Sequence, residues 1–145
     1  MSGELFRILV VEDNTADVYL FRKALESAEL NFELTVIEDG AEAIAFVLGE
    51  GKYAGSPAPA LAVLDLNLPK NEGTEVLQAI RQSKHLANLP VVIMSSSASP
   101  SDRVKAEQLR VERFIVKPSN LEDFLKIGTV LKEVLLESRT RPSSQ

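Results

Sequence analysis

Residues 61–64, Leu-Ala-Val-Leu, form an unbroken apolar run that drives straight into Asp65 and then into a stretch that holds Pro69 and ends at Gly73. A short apolar run without polar alternation is the mark of a strand buried on both faces, and such strands belong to parallel sheets covered by helices on each side. Asp65 then stands at the carboxyl edge of the sheet. In open α/β folds that edge is where ligands bind, in the crevice beside the point at which strand order reverses. A lone charge there is either paired or at work.

The rest of the chain repeats the pattern. Residues 5–11 read as a first strand ending in Glu12-Asp13, with Asn14 as a helix cap and Asp17 in the first turn behind it. Val18, Phe21, Leu25 and Ala28 recur at helical spacing over residues 15–28. Residues 32–36 alternate as a second strand, and Asp39-Gly40 signals a turn. Ala41, Ile44, Ala45 and Leu48 mark a second helix ended by Gly49, and residues 50–59 read as an exposed loop. Val76, Leu77 and Ile80 give one face of a third helix, and Pro90 opens a fourth strand over 91–94. Ser99-Pro100 starts a fourth helix, serine as cap and proline in its first position, with Val104 and Leu109 as its apolar residues. Residues 113–116 make a fifth strand, and 120–138 a long last helix.

Strand and helix therefore alternate five times. The expected fold is a single α/β domain, a flavodoxin-like, doubly wound parallel sheet with strand order 2-1-3-4-5 and right-handed crossovers. A chain of 145 residues with 45% hydrophobic and 26% charged residues suits one core rather than two. We expect the domain to occupy residues 1–138, with 139–145 as a tail. A net charge of -5, without clustered Lys and Arg, disfavours nucleic acid as a partner. The absence of cysteine excludes disulfides and thiolate metal sites. No apolar stretch approaches membrane-spanning length, so a cytoplasmic protein is expected.

Four strand ends carry polar groups: Glu12 and Asp13 after the first, Asp65 after the third, Ser95 after the fourth and Lys117 after the fifth. In the expected strand order the first and third strands are neighbours at the switch point, so Asp13 and Asp65 converge. Three carboxylates about 4 Å apart repel by roughly 4 kcal/mol per pair at an effective dielectric near 20. Lys117 supplies one compensating charge and a divalent cation the rest; Mg²⁺ suits hard oxygen ligands and a phosphate. Taken singly, each residue has a plainer explanation, as a loop acid near a helix N-terminus, a turn aspartate, loop serine or solvated lysine. Their coincidence at one sheet edge is what favours a site.

Together these residues resemble the receiver domain of two-component response regulators. Thirty residues separate Asp65 from Ser95 and fifty-two separate it from Lys117, as in that family. The resemblance implies that Asp65 accepts a phosphoryl group from a sensor histidine kinase. It also implies that Glu12, Asp13, Asp65 and the Asn67 backbone carbonyl serve Mg²⁺, that Ser95 and Lys117 contact the phosphoryl group, and that Ser95 and Phe114 form the switch. Residues 10–17 and 65–70, with the extra loop over 49–60, are similar to the single-domain regulators that partner phytochromes. Such a protein is a phosphoacceptor rather than an enzyme with an external substrate. Two other classes remain open. A haloacid dehalogenase-type phosphatase wants an acid where Asn67 stands, and a flavodoxin-like cofactor binder wants phosphate-cradling donors where Glu12 and Asp13 stand.

The last helix carries two apolar stripes. Leu121, Phe124, Leu125, Leu131 and Leu135 are expected to face the sheet, and Ile127, Val130 and Val134 to form a second stripe suited either to a homodimer, the reading we carry forward, or to a broad groove between neighbouring helices. His85 is expected to be exposed, and the sequence leaves the Lys117-Pro118 bond open between cis and trans, a proline just after a site residue making cis plausible.

Overall fold

The computed structural model describes residues 4–66, 73–96 and 99–140, Thr140 by its backbone alone. Its strands are β1 (Phe6–Val11), β2 (Phe32–Ile37), β3 (Leu61–Asp65), β4 (Val91–Ser95) and β5 (Arg113–Val116). Its helices are α1 (Thr15–Ser27), α2 (Gly40–Leu48), α3 (Gly73–Gln82), α4 (Pro100–Gln108) and α5 (Leu121–Thr140). The strands pair in parallel in the order β2-β1-β3-β4-β5, which is the order expected.

Strand pleating sorts the core into two layers. Leu9, Val11, Ala62, Leu64, Val91 and Ile93 point one way, against Val76, Leu77 and Ile80 of α3 and Ala43 and Val47 of α2. Ile8, Val10, Leu61, Val63, Val92 and Met94 point the other way, against Phe21 and Leu25 of α1 and Phe124, Ile127, Leu131, Val134 and Leu135 of α5. β3 and β4 are buried along their whole length, which is why their sequences are apolar without alternation.

Several details differ from the sequence-based expectations. Asp39-Gly40 is no separate turn: the Asp39 side chain accepts from the Glu42 N–H at 2.8 Å, so the helix starts at once. With that start, α2 buries Gly40, Ala43 and Val47 and leaves Leu48 exposed. In α4 the buried residue is Ala106, while Val104 is exposed. Ser99 precedes Pro100 as expected, but its side chain makes no capping hydrogen bond. The 50–59 loop contains a 3-10 turn at Gly51–Tyr53. Tyr53 fastens it to α2: its hydroxyl donates to Glu42 at 2.5 Å, and its ring meets Phe46 edge-on. Among the described residues there is no cis peptide bond, so Lys117-Pro118 is trans.

The most consequential correction concerns α5. Ile127 and Val134 are not a surface stripe; they are 4% and 1% exposed within the core, whereas Leu121 is 57% exposed. α1 and the sheet together present a concave seat that takes more than one stripe of α5. The seat is deep because Gly128 lets the helix backbones close on one another: a Cβ there would lie 2.0 Å from the Ala24 carbonyl oxygen. Among the described residues no helix is long and apolar enough to cross a membrane.

Candidate functional site

The polar groups gather where the pleat sends them. Glu12 follows Val10 in parity, Asp65 follows Val63 and Lys117 follows Ile115, so all three lean toward the α1/α5 side of the sheet. Ser95 follows Ile93 and leans toward the other side, where Phe114 also packs. The proposed reacting groups and the proposed switch pair thus occupy opposite faces of one sheet edge.

Glu12 is 2% exposed, and its N–H extends the β1–β2 ladder by donating to the Ile37 carbonyl at 2.9 Å. Its Oε2 accepts from the Asn14 N–H at 3.1 Å. Asp13 is exposed, and Asp65, the last residue of β3, is 5% exposed. Oxygens of Glu12, Asp13 and Asp65 all lie within 4.8 Å of one another. Each such pair repels by roughly 3–4 kcal/mol at an effective dielectric near 20. Lys117 Nζ answers them from the residue just after β5, 2.9 Å from Glu12 Oε1 and 3.4 Å from Asp65 Oδ2. The Lys117 backbone is held in turn, its N–H donating to the Ser95 carbonyl at 2.7 Å.

Sequence reasoning missed two residues here. Asp17 Oδ2 accepts from Lys117 Nζ at 2.9 Å, although the sequence shows it only as an acid in the first turn of α1. Gly73 sits directly under the end of β3: a Cβ there would lie 2.4 Å from the Asp65 carbonyl oxygen. The available signal for Asp17 was its place one helical turn beyond Glu12-Asp13, at the helix end that opens onto the crevice. Asn67 lies outside the described residues. His85 is exposed and borders a cavity with Phe6 and Pro90, at the opposite ends of the strands.

Burial dominates the electrostatics of Glu12. Loss of solvation, reinforced by the Asp65 charge, outweighs the close contact with the Lys117 ammonium and pushes its pKa from 4.5 up to about 7. For Lys117, burial acts to lower the pKa, but Asp17 and Glu12 outweigh it and hold the ammonium above its ordinary range. A carboxyl group with a raised folded pKa binds more protons folded than unfolded between the two values, so stability falls as pH rises through that window. We expect Glu12→Gln to remove this dependence. Measured by thermal unfolding without divalent cations, the stability difference should move toward the variant by on the order of 2–3 kcal/mol between about pH 4.5 and 7. A constant difference across that range would contradict it.

The donor set fits a hard divalent cation. It is all oxygen, and Glu12 Oε1 is buried without a well-aligned hydrogen bond despite its contact with Lys117, which leaves lone-pair capacity facing the other carboxylates.

The response regulator receiver domain model matches residues 8–128. The chain belongs to the response regulator receiver family. Response regulator Rcp1 of Synechocystis sp. is 38% identical over 137 residues, covering 94% of this chain and 93% of Rcp1. The crystal structure of the phosphorylated cyanobacterial phytochrome response regulator RcpA superposes with a TM-score of 0.87 at 38% identity, over 97% of this chain and 100% of RcpA. The Mn²⁺-bound form of Rcp1 gives 0.84 at 38% identity, over 95% and 99%. Receiver membership displaces the phosphatase and flavodoxin-like alternatives.

Proposed function

We propose that Asp65 is the phosphoacceptor of this receiver and that a sensor histidine kinase is its donor. The observation that carries this is the convergence of Glu12, Asp13 and Asp65 within 4.8 Å at one sheet edge, with Lys117 reaching across from the end of β5. An Asp65 oxygen forms the new bond to phosphorus as the bond from phosphorus to the donor imidazole nitrogen breaks, and that nitrogen keeps the electron pair. Lys117 lies where it can balance charge on the transferring group. Glu12, Asp13, Asp65 and the Asn67 carbonyl would hold Mg²⁺, which when bound neutralises charge on the phosphoryl oxygens. Ser95, buried at the end of β4, would donate its hydroxyl to the phosphoryl group, and Phe114 would respond on the same face of the sheet. The chemistry ends on the protein's own aspartate, so we assign no turnover of an external substrate.

We assign the receiver domain to residues 1–140, since α5 runs on to Thr140 where a tail was expected from 139, and place its work in the cytoplasm. The likeness to RcpA supports a phytochrome as the kinase. For self-association, the exposed apolar residues of α5 are Leu121 and Leu136, and these replace Ile127 and Val134 as the homodimer surface we propose. Sedimentation showing only monomer at high concentration, phosphorylated or not, would refute that surface.

The deciding experiment is incubation with acetyl phosphate and Mg²⁺, followed by intact mass. One added phosphoryl group, dependent on Mg²⁺ and absent from Asp65→Asn, is the expected result. An adduct that persists in Asp65→Asn, or none in the wild type, would overturn the assignment.

A further inference from the structure

The shortest aligned hydrogen bond of Lys117 goes not to Asp65 but to Asp17. Nζ lies 2.9 Å from Asp17 Oδ2 and 3.4 Å from Asp65 Oδ2. Its 2.9 Å approach to Glu12 Oε1 is an ion-pair contact without hydrogen-bond alignment. Asp17 belongs to α1, behind the sheet edge, and nothing in the proposed chemistry requires it. Its position is fixed independently of its carboxylate, because the Asp17 N–H donates to the Asn14 cap at 3.1 Å. The Lys117 and Asp17 side chains are only 16% and 18% exposed, so water does little to loosen the contact.

From this geometry we propose that Asp17 is a positioning residue that competes for Lys117: it holds the ammonium toward α1, and Lys117 must give up that bond to serve a phosphoryl group on Asp65. The proposal rests on Asp65 being the phosphoacceptor. An ammonium has three donors, and a charge-assisted bond to a carboxylate is among the strongest it can make. The bond to Asp17 draws the ammonium toward α1 and offsets part of its charge there, so less of it is offered to the transferring group. As Lys117 turns toward the phosphoryl oxygens, the first turn of α1 loses its tie to the end of β5. Arrival of phosphate at the sheet edge is thereby coupled to a surface helix.

Asp17→Asn keeps the size and the backbone cap but removes the competing charge. With acetyl phosphate at saturating Mg²⁺, it should be phosphorylated about tenfold faster than the wild type, a difference of about 1.4 kcal/mol. Asp17→Glu, which restores a carboxylate, should return the rate toward the wild-type value. A purely structural Asp17 predicts otherwise: its loss would lower the melting temperature and leave the rate unchanged or reduced. An unchanged or slower rate in Asp17→Asn, with normal phosphorylation of the wild type, overturns the proposal. Failure of the wild type to take up phosphate would instead remove the assignment of Asp65 on which it stands.

Discussion

Gly128→Val should leave most of the chain unfolded, and even Gly128→Ala should lower the melting temperature substantially. Glycine inside a helix ordinarily costs about 1 kcal/mol relative to alanine, so by propensity alone Gly128→Ala would stabilise α5. Packing reverses the sign. A Cβ at 128 would lie 2.0 Å from the Ala24 carbonyl oxygen and 2.6 Å from its carbon, both backbone atoms of a fully buried residue of α1. Neither can swing aside. That carbonyl is also committed, accepting from the Ala28 N–H at 3.1 Å, while Lys132 donates to the Ala28 carbonyl at 3.1 Å. Relief requires the helices to part, which opens the Phe21–Phe124 edge contact at 5.2 Å and the core beneath it. Overpacking of this kind costs about 1–3 kcal/mol where side chains can yield and more where they cannot. We expect at least about 3 kcal/mol for alanine, or some 10 °C in melting temperature, and more than about 5 kcal/mol for valine. A melting temperature for Gly128→Ala equal to or above the wild type would show that α1 and α5 pack otherwise.

Local signals made the strands and their polar ends legible. β3 and β4 are apolar without alternation because both faces are covered, and that is visible in residues 61–64 and 91–94 without knowledge of any partner. Asp65, Glu12, Asp13 and Lys117 were legible because each ends such a run, and topology does the rest. What stayed hidden depends on distant segments. The two apolar stripes of α5 could not be sorted into core and surface, since the width of its seat is set by α1, a hundred residues away. The phase of α2 was off by one because Asp39 works as a cap, not a turn. Arg81 gave no sequence signal, yet its guanidinium donates to the carbonyls of Ala87, Leu89, Leu109 and Arg110, stitching the ends of α3 and α4 to the strands that follow. Asp17 was hidden for the same reason: its partner is one hundred positions downstream.

Lys117→Met should damage function and stability together, and pH separates the two effects. Methionine keeps an unbranched apolar stem but removes the ammonium with its charge and its three donors, so the buried edge keeps Glu12 and Asp65 without their common counter-ion. Removing one partner of a buried pair costs roughly 3–5 kcal/mol when the other stays charged. Glu12, with a pKa already raised to about 7, escapes that cost by taking a proton as the pH falls. The stability lost by Lys117→Met should therefore be smaller near about pH 5 and grow toward about pH 8. Lys117 itself stays charged throughout: its folded pKa is raised above 10.5, so its contribution would be lost only in strong alkali. Phosphorylation follows a different course. Protonating Glu12 does not replace the positive charge facing the transferring group, and loss of one electrostatic donor of this kind typically slows the chemical step by about 10²–10³-fold. Acetyl phosphate labelling of Lys117→Met at saturating Mg²⁺ should stay slow at both ends of the pH range, including the end at which the fold has recovered. Recovery of the labelling rate in parallel with stability would make Lys117 a structural counter-ion and remove it from the phosphoryl-transfer step.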